Sequence, residues 1–211
     1  MPFTIAEDKQ KWLMLGFAFM ATVINYLDRK NLSVMAPVLL QSFHITATSY
    51  SNIIFAFMLA YTFMNGVCGR LLDRLGTKAG YALTIAFWSA AELLHAFTAG
   101  AMSLGIFRFL LGIGEAGNYP AGVRLIAEWF PPQERSQASG IFNSGASIGA
   151  IFAPPLLAAI TLFSGWRTAF IVVGLSGFLW LSAWFALYQE PPARIANVQV
   201  NRLPLRVLLH S

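Results

Sequence analysis

The chain has 211 residues, of which 57% are hydrophobic, 14% aromatic and 11% charged, with a formal net charge of +5. Soluble domains carry roughly a quarter charged residues, and a globule of this size buries only about 70% of its chain's surface. The composition therefore excludes a soluble fold and points to a polytopic membrane protein. A single cysteine, Cys68, excludes a disulfide framework or a thiolate zinc site, and in a membrane chain a basic excess marks cytoplasmic loops, not nucleic-acid binding.

A membrane-spanning helix needs about 20 mostly apolar residues, and the sequence predicts six such spans in an all-α protein. Residues 1–11 form a short N-terminus. The first span covers residues 12–37 and is interrupted by Asp28, Arg29 and Lys30. Its apolar stretch is too long for a signal peptide, and no small-residue cleavage pattern follows it. The second span covers 50–69, and the connection at 69–78 is dense in charge and glycine. The third span covers 79–99, the fourth 102–125, the fifth 137–163 and the sixth 168–188. Residues 12–190 thus form one six-helix bundle, and 191–211 a tail of loop or interfacial helix. With the N-terminus inside, Lys9, Lys11, Arg70, Arg74, Lys78, Arg124, Arg135, Arg194, Arg202 and Arg206 lie on the cytoplasmic side and Arg167 alone outside. That asymmetry places both termini in the cytoplasm.

Asp28, Arg29, Arg108 and Glu115 interrupt apolar spans. An ionisable group at mid-bilayer costs at least about 2.5–3.5 kcal/mol on insertion scales, so such residues face a cavity or a partner. Asp28 and Arg29 point about 100° apart on a helix, whereas Arg108 and Glu115 share one face, two turns apart. An acid and a base on each of two helices can form an exchanging ion-pair set. Protonating a carboxylate then releases its arginine to hold an anion, a chemistry suited to proton-coupled transport of a carboxylate. The alternative is a pair of static bridges pinning two helices, or end residues that snorkel. Lys30 reads as a mouth residue and Glu92 as a near-interface one. Asn25 and Tyr26 flank the charged pair, Tyr61 lies in the second span, and Asn143, Ser144 and Ser147 lie in the fifth. Such groups commonly bond neighbouring helices in membrane bundles.

Two motifs fail on context. Gly112, Gly114 and Gly117 spell a dinucleotide fingerprint, but inside an apolar helix with no preceding strand. Gly145, Ser147 and Gly149 spell a nucleophile elbow, also inside a span. Both read as small residues that let helices approach. His44 and His95 fall in or near outer loops and His210 in the tail, so they supply neither a base for Ser147 nor a metal cluster. Asn31 and Ser33 match a glycosylation sequon within a span.

The run Gly69-Arg70-Leu71-Leu72-Asp73-Arg74-Leu75-Gly76-Thr77-Lys78 resembles the signature between the second and third spans of the major facilitator superfamily. Asn25-Tyr26-Leu27-Asp28-Arg29 in the first span resembles its anion:cation symporter branch, as does the stretch from Arg108 through Glu115 to Pro120. Glu128 to Pro131, Glu134 to Ser136, Gly140 to Gly145 and Ala153 to Pro155 extend the likeness to the bacterial sugar-acid members, over residues 12–190. The resemblance implies that Arg29 contacts a substrate carboxylate, with Tyr26, Tyr61 and Asn143 lining its cavity. Asp28 and Glu115 would be protonation sites and Arg108 would couple them. Gly69, Asp73, Arg74, Gly76 and Lys78 would belong to a cytoplasmic gate.

It further implies a multi-pass protein of the bacterial inner membrane, embedded in the lipid bilayer, that is not an enzyme and needs no cofactor or metal, the proton serving as coupling ion. The family has twelve spans in two halves, each of two inverted three-helix repeats. The expectation is therefore the N-terminal half of a sugar-acid symporter, for example of a hexuronate, whose C-terminal half is absent through truncation or frameshift. An inactive membrane remnant is the second reading and an intramembrane hydrolase using Ser147 the third.

Overall fold

A computed structural model describes residues 5–192, so the tail expected at 191–211 lies, from residue 193 on, outside the described residues. These fold into six helical segments with no strand among them: α1 (Ile5–Ser42), α2 (Ala47–His95), α3 (Ala101–Glu115), α4 (Asn118–Trp129), α5 (Arg135–Ser164) and α6 (Trp166–Leu187). The segments do not correspond one to one with the expected spans. The 49-residue α2 carries both the second and the third. The charged connection at 69–78 is helical except at Gly76, which has φ 76° and ψ 169°. Arg70, Leu71, Leu72 and Arg74 carry the helix on past its apolar stretch because straight-chain residues lose little freedom in a helix. Only glycine takes that backbone conformation without a Cβ penalty, so the expected loop shrinks to a one-residue break.

The fourth span divides instead, into α3 and α4. Pro120 has no N–H to give the carbonyl of Ala116, and its ring clashes with that carbonyl; the helix therefore breaks at Ala116 and Gly117 and restarts at Asn118. In contrast, α1 runs unbroken through Asp28, Arg29 and Lys30. Three helices, α2, α5 and α6, are long and apolar enough to cross a membrane. The charges of α1 and the break between α3 and α4 set those segments apart.

Most of the packing is α2 against α3 and α6, and α1 against α5. Glycines make the close approaches. A Cβ at Gly112 would lie 2.6 Å from the carbonyl of Phe57, and one at Gly114 would lie 2.7 Å from the amide of Trp88. Across the other pair, a Cβ at Gly145 or Gly149 would lie 2.7 Å from the carbonyl of Phe19 or Val23. Both glycine motifs are thus contact surfaces, and Ser147 is exposed on α5. Gly149→Leu is expected to wedge α5 from α1 and cost about 1–3 kcal/mol, the usual penalty of overpacking. Thermal unfolding in detergent measures it, with Gly140→Ala, whose added Cβ meets nothing within 4 Å, as the neutral control.

The interior is layered along α1. Met14, Leu15 and Ala18 join an apolar cluster with Tyr81, Trp129 and Trp184. Leu32, Met35 and Leu39 join a second with Ile53, Leu104 and Phe170. Between them α1 presents Asn25, Asp28 and Asn31, all buried. Their spacing of three puts them on one helical face, so a polar belt lies between two apolar ones.

Candidate functional site

The belt holds every intramembrane charge expected from the sequence. Arg29 Nε donates to Glu115 Oε2 at 2.6 Å, joining α1 to the end of α3. The same guanidinium lies 4.3 Å from the ring centre of Tyr61 and 5.4 Å from that of Tyr26, a cation–π arrangement that holds its plane. Arg108 Nη2 donates to the Arg29 carbonyl at 3.3 Å, and its guanidinium sits 5.5 Å from the Phe57 ring centre. The Asp28 carboxyl is buried without a hydrogen-bond partner among the described residues. Asp28 and Glu115 are fully buried, whereas the Arg29 side chain keeps 25% exposure.

Two residues near the end of α2 turn inward. Glu92, read as near-interface, is wholly buried inside the bundle, and Asn31 Nδ2 donates to its Oε1 at 2.7 Å. His95, read as in or near an outer loop, is the last residue of α2 and is buried, with Nδ1 donating to the Ala91 carbonyl at 2.8 Å and its ring stacked on Phe170. Tyr81, Ile85, Trp88, Glu92 and His95 are all buried. That helical periodicity was the available signal, and it outweighs nearness to a predicted span end.

Beside the belt is a cavity of about 90 Å³. Arg29, Tyr26, Tyr61 and Asn143, the four residues expected to meet substrate, all line it. Thr22, Asn118 and Tyr119 line it too and were not anticipated. Asn118 is fixed from both sides, donating to Thr22 Oγ1 at 3.1 Å and accepting from Tyr81 Oη at 2.8 Å. Its signal was position: it follows the glycine run whose close packing brings the start of α4 inward. One partly exposed cation, phenol rings and amides on a single wall make a surface complementary to an anion that carries hydroxyls.

The expected gate residues gather in the middle of α2, around the break at Gly76. Asp73 meets Arg124 of α4 at 3.0 Å, and Arg124 also reaches Glu128 at 2.7 Å and the Leu72 carbonyl at 2.9 Å. Gly69 and Gly76 flank that contact along α2, and Arg74 is exposed. The Lys78 carbonyl accepts from Trp184 Nε1 at 3.1 Å, and its ammonium lies 5.2 Å from the Tyr188 ring centre. Nearby, Lys11 ties α1 to Glu134 at 2.6 Å and to Asp8 at 2.7 Å. Burial works against its charge, but the hydrogen bonds it donates to both carboxylates prevail and raise its pKa.

A family model for the Major Facilitator Superfamily matches residues 18–210. The chain is 40% identical over 181 residues to a hexuronate transporter of Escherichia coli, covering 86% of this chain and 42% of that protein. It is 40% identical over 184 residues to a galacturonate transporter of Dickeya chrysanthemi, covering 86% and 52%, and 37% identical over 183 residues to a D-galactonate transporter of Escherichia coli, covering 87% and 43%. The chain thus spans about half the length of these relatives. Its fold is similar to the crystal structure of a bacterial homolog of the human lysosomal transporter Spinster in an inward-facing, occupied conformation, with a TM-score of 0.74 and 25% identity, covering 84% of this chain and 44% of that one.

Proposed function

The chain belongs to the major facilitator superfamily, a family of transporters and not of enzymes, and from that premise we propose that it forms the N-terminal six-span half of a proton-coupled symporter for a sugar acid such as a hexuronate. In this reading α1, the two limbs of α2, α3 with α4, α5 and α6 make six crossings of the bacterial inner membrane, arranged as two inverted three-helix repeats with both termini in the cytoplasm. The observation that carries the reading is Arg29, paired at 2.6 Å with buried Glu115 while its guanidinium lines a cavity shared with Tyr26, Tyr61 and Asn143. An ionised Glu115 occupies Arg29 and competes with an incoming carboxylate. A proton on Glu115 releases the guanidinium, whose planar fork then takes the carboxylate bidentately. Proton and anion therefore favour each other's binding, which is the linkage a symporter needs. Asp28 is the second protonation site, and Arg108, hydrogen-bonded to the Arg29 carbonyl, couples the two. The names of the relatives support a sugar acid as the substrate class, and the length they have beyond this chain supports a second half that completes the site.

The decisive experiment joins this chain to the second half of the Escherichia coli hexuronate transporter in proteoliposomes. Labelled galacturonate should accumulate under an inward proton gradient and exchange in counterflow without one, and the 211-residue chain alone should do neither. An inactive remnant predicts no counterflow even with the second half supplied, and that result overturns the reading. The topology has its own test. In a Cys68→Ala background, a membrane-impermeant thiol reagent added outside cells should label His44→Cys and spare Lys78→Cys; the reverse pattern overturns the orientation.

A further inference from the structure

Two guanidiniums lie over one benzene ring. Arg29 Cζ is 5.7 Å from the ring centre of Phe57, and Arg108 Cζ is 5.5 Å from it, both inside the roughly 6 Å reach of a cation–π attraction. Among the described residues, Phe57 is the only ring that two guanidiniums share. Its placement is built into the backbone. Gly112 seats α3 on α2 at this residue: a Cβ there would lie 2.6 Å from the Phe57 carbonyl and 3.3 Å from Cδ2 of its ring. Arg108 stands one turn before Gly112 on α3. Tyr61 stands one turn after Phe57 on α2, and the two rings stack at 5.8 Å and 17°. The glycine run that spells a false dinucleotide fingerprint thus brings one ring to the arginines of both α1 and α3. Each arginine needs that ring for its own reason. Arg108 is 3% exposed, its Nη2 reaches the Arg29 carbonyl at 3.3 Å, and its Nε and Nη1 are buried without a hydrogen-bond partner among the described residues. Arg29 has Glu115 at 2.6 Å, but as an ion pair only while that carboxylate is ionised. Once Glu115 is neutral, the rings of Tyr61, Tyr26 and Phe57 remain around the guanidinium. A ring face is negative, and its attraction for a cation is greatest where water is excluded.

We propose that Phe57 is a positioning residue for anion recognition: the negative face of its ring, and not its volume, holds the guanidiniums of Arg29 and Arg108 and keeps Arg29 aimed into the cavity after Glu115 lets go. Phe57 is not among the residues that line the cavity, so it acts through Arg29 and does not touch the anion. Its part in recognition rests on the symport reading; its hold on the two arginines does not.

Fluorine drains negative charge from a ring face while hardly changing the ring's shape, which separates the two roles. Phe57 is replaced in turn by mono-, di- and trifluorinated phenylalanine. In the 211-residue chain in detergent, the temperature of thermal unfolding should fall stepwise along the series. The same series at Phe63, exposed on α2, should leave it level. The double variant Arg29→Ala, Glu115→Gln should show a smaller slope with fluorination at Phe57, because Arg108 alone is then left over the ring. In the joined transporter, the galacturonate concentration that half-saturates counterflow should rise stepwise, by about threefold or more at the trifluorinated ring. Phe57→Leu, which keeps an apolar side chain and loses the ring face, should weaken the anion at least as much. An unfolding temperature or a half-saturating concentration that stays level along the series overturns the proposal, since a purely apolar role predicts both. An undiminished slope in the double variant overturns the hold on Arg29. If Phe57→Leu does not fold, the fluorine series decides. Absence of wild-type counterflow sinks the symport reading, and the thermal series then decides the hold by itself.

Discussion

Arg29→Ala should abolish galacturonate uptake by the joined transporter, because no other guanidinium or ammonium lines the described cavity. Truncating one partner of a buried, hydrogen-bonded charge pair costs about 2–5 kcal/mol, roughly a 30- to 4,000-fold loss in affinity at 1.4 kcal/mol per tenfold. Part of that effect comes from leaving Glu115 buried without its cation, so the single variant mixes lost binding with lost stability. The double variant Arg29→Ala, Glu115→Gln separates them: it should recover thermal stability and still take up nothing. Arg29→Lys should rescue poorly, to about a tenth of wild-type uptake or less. An ammonium has no planar fork for a carboxylate and no flat face for the Tyr61 ring 4.3 Å away. Uptake that survives in Arg29→Ala removes this residue from substrate recognition.

Glu115→Gln should produce the opposite pattern. Glutamine imitates the protonated acid in size and neutrality, so Arg29 stays free for the anion at every pH. Counterflow of labelled galacturonate should persist, with affinity equal to or above that of the wild type. Accumulation against a gradient should vanish, since a site that no longer titrates cannot link the anion to the proton. The pH dependence of anion affinity should flatten together with it. Full pH-driven accumulation in Glu115→Gln would assign the coupling proton elsewhere, with Asp28 the next place to look.

The parts of this site that were legible in the sequence share a physical reason. Asp28, Arg29, Arg108 and Glu115 announce themselves because a charge in an apolar run is costly wherever the helix points. What the sequence hid depends on rotation and depth. Glu92 lies near the end of a predicted span, where a charge is cheap if it faces outward; the close approach of α3 at Gly114 to the Trp88 backbone turns that face inward. Asn118 was masked by a glycine run that reads as packing and nothing more. The helix boundaries differ from the expected span boundaries for two opposite causes. Straight-chain residues carried helix through 69–75, where charge and glycine read as loop, and Pro120 cut a stretch whose apolar pattern read as continuous.

The contact between α1 and α5 is a joint with no play. Gly145 and Gly149 rest on the main chain of Phe19 and Val23, and a Cβ at Gly149 would also lie 2.8 Å from that of Tyr26. Backbone against backbone leaves no side chain to change rotamer and take up a shift. Tyr26 and Arg29 on one helix and Asn143 on the other thus behave like marks on a single ruler. That contact fixes the distance between Arg29 and Asn143. Under the proposed symport reading, selection among sugar acids of different length becomes a caliper measurement with one fixed jaw, and only the opposing face is left to adjust.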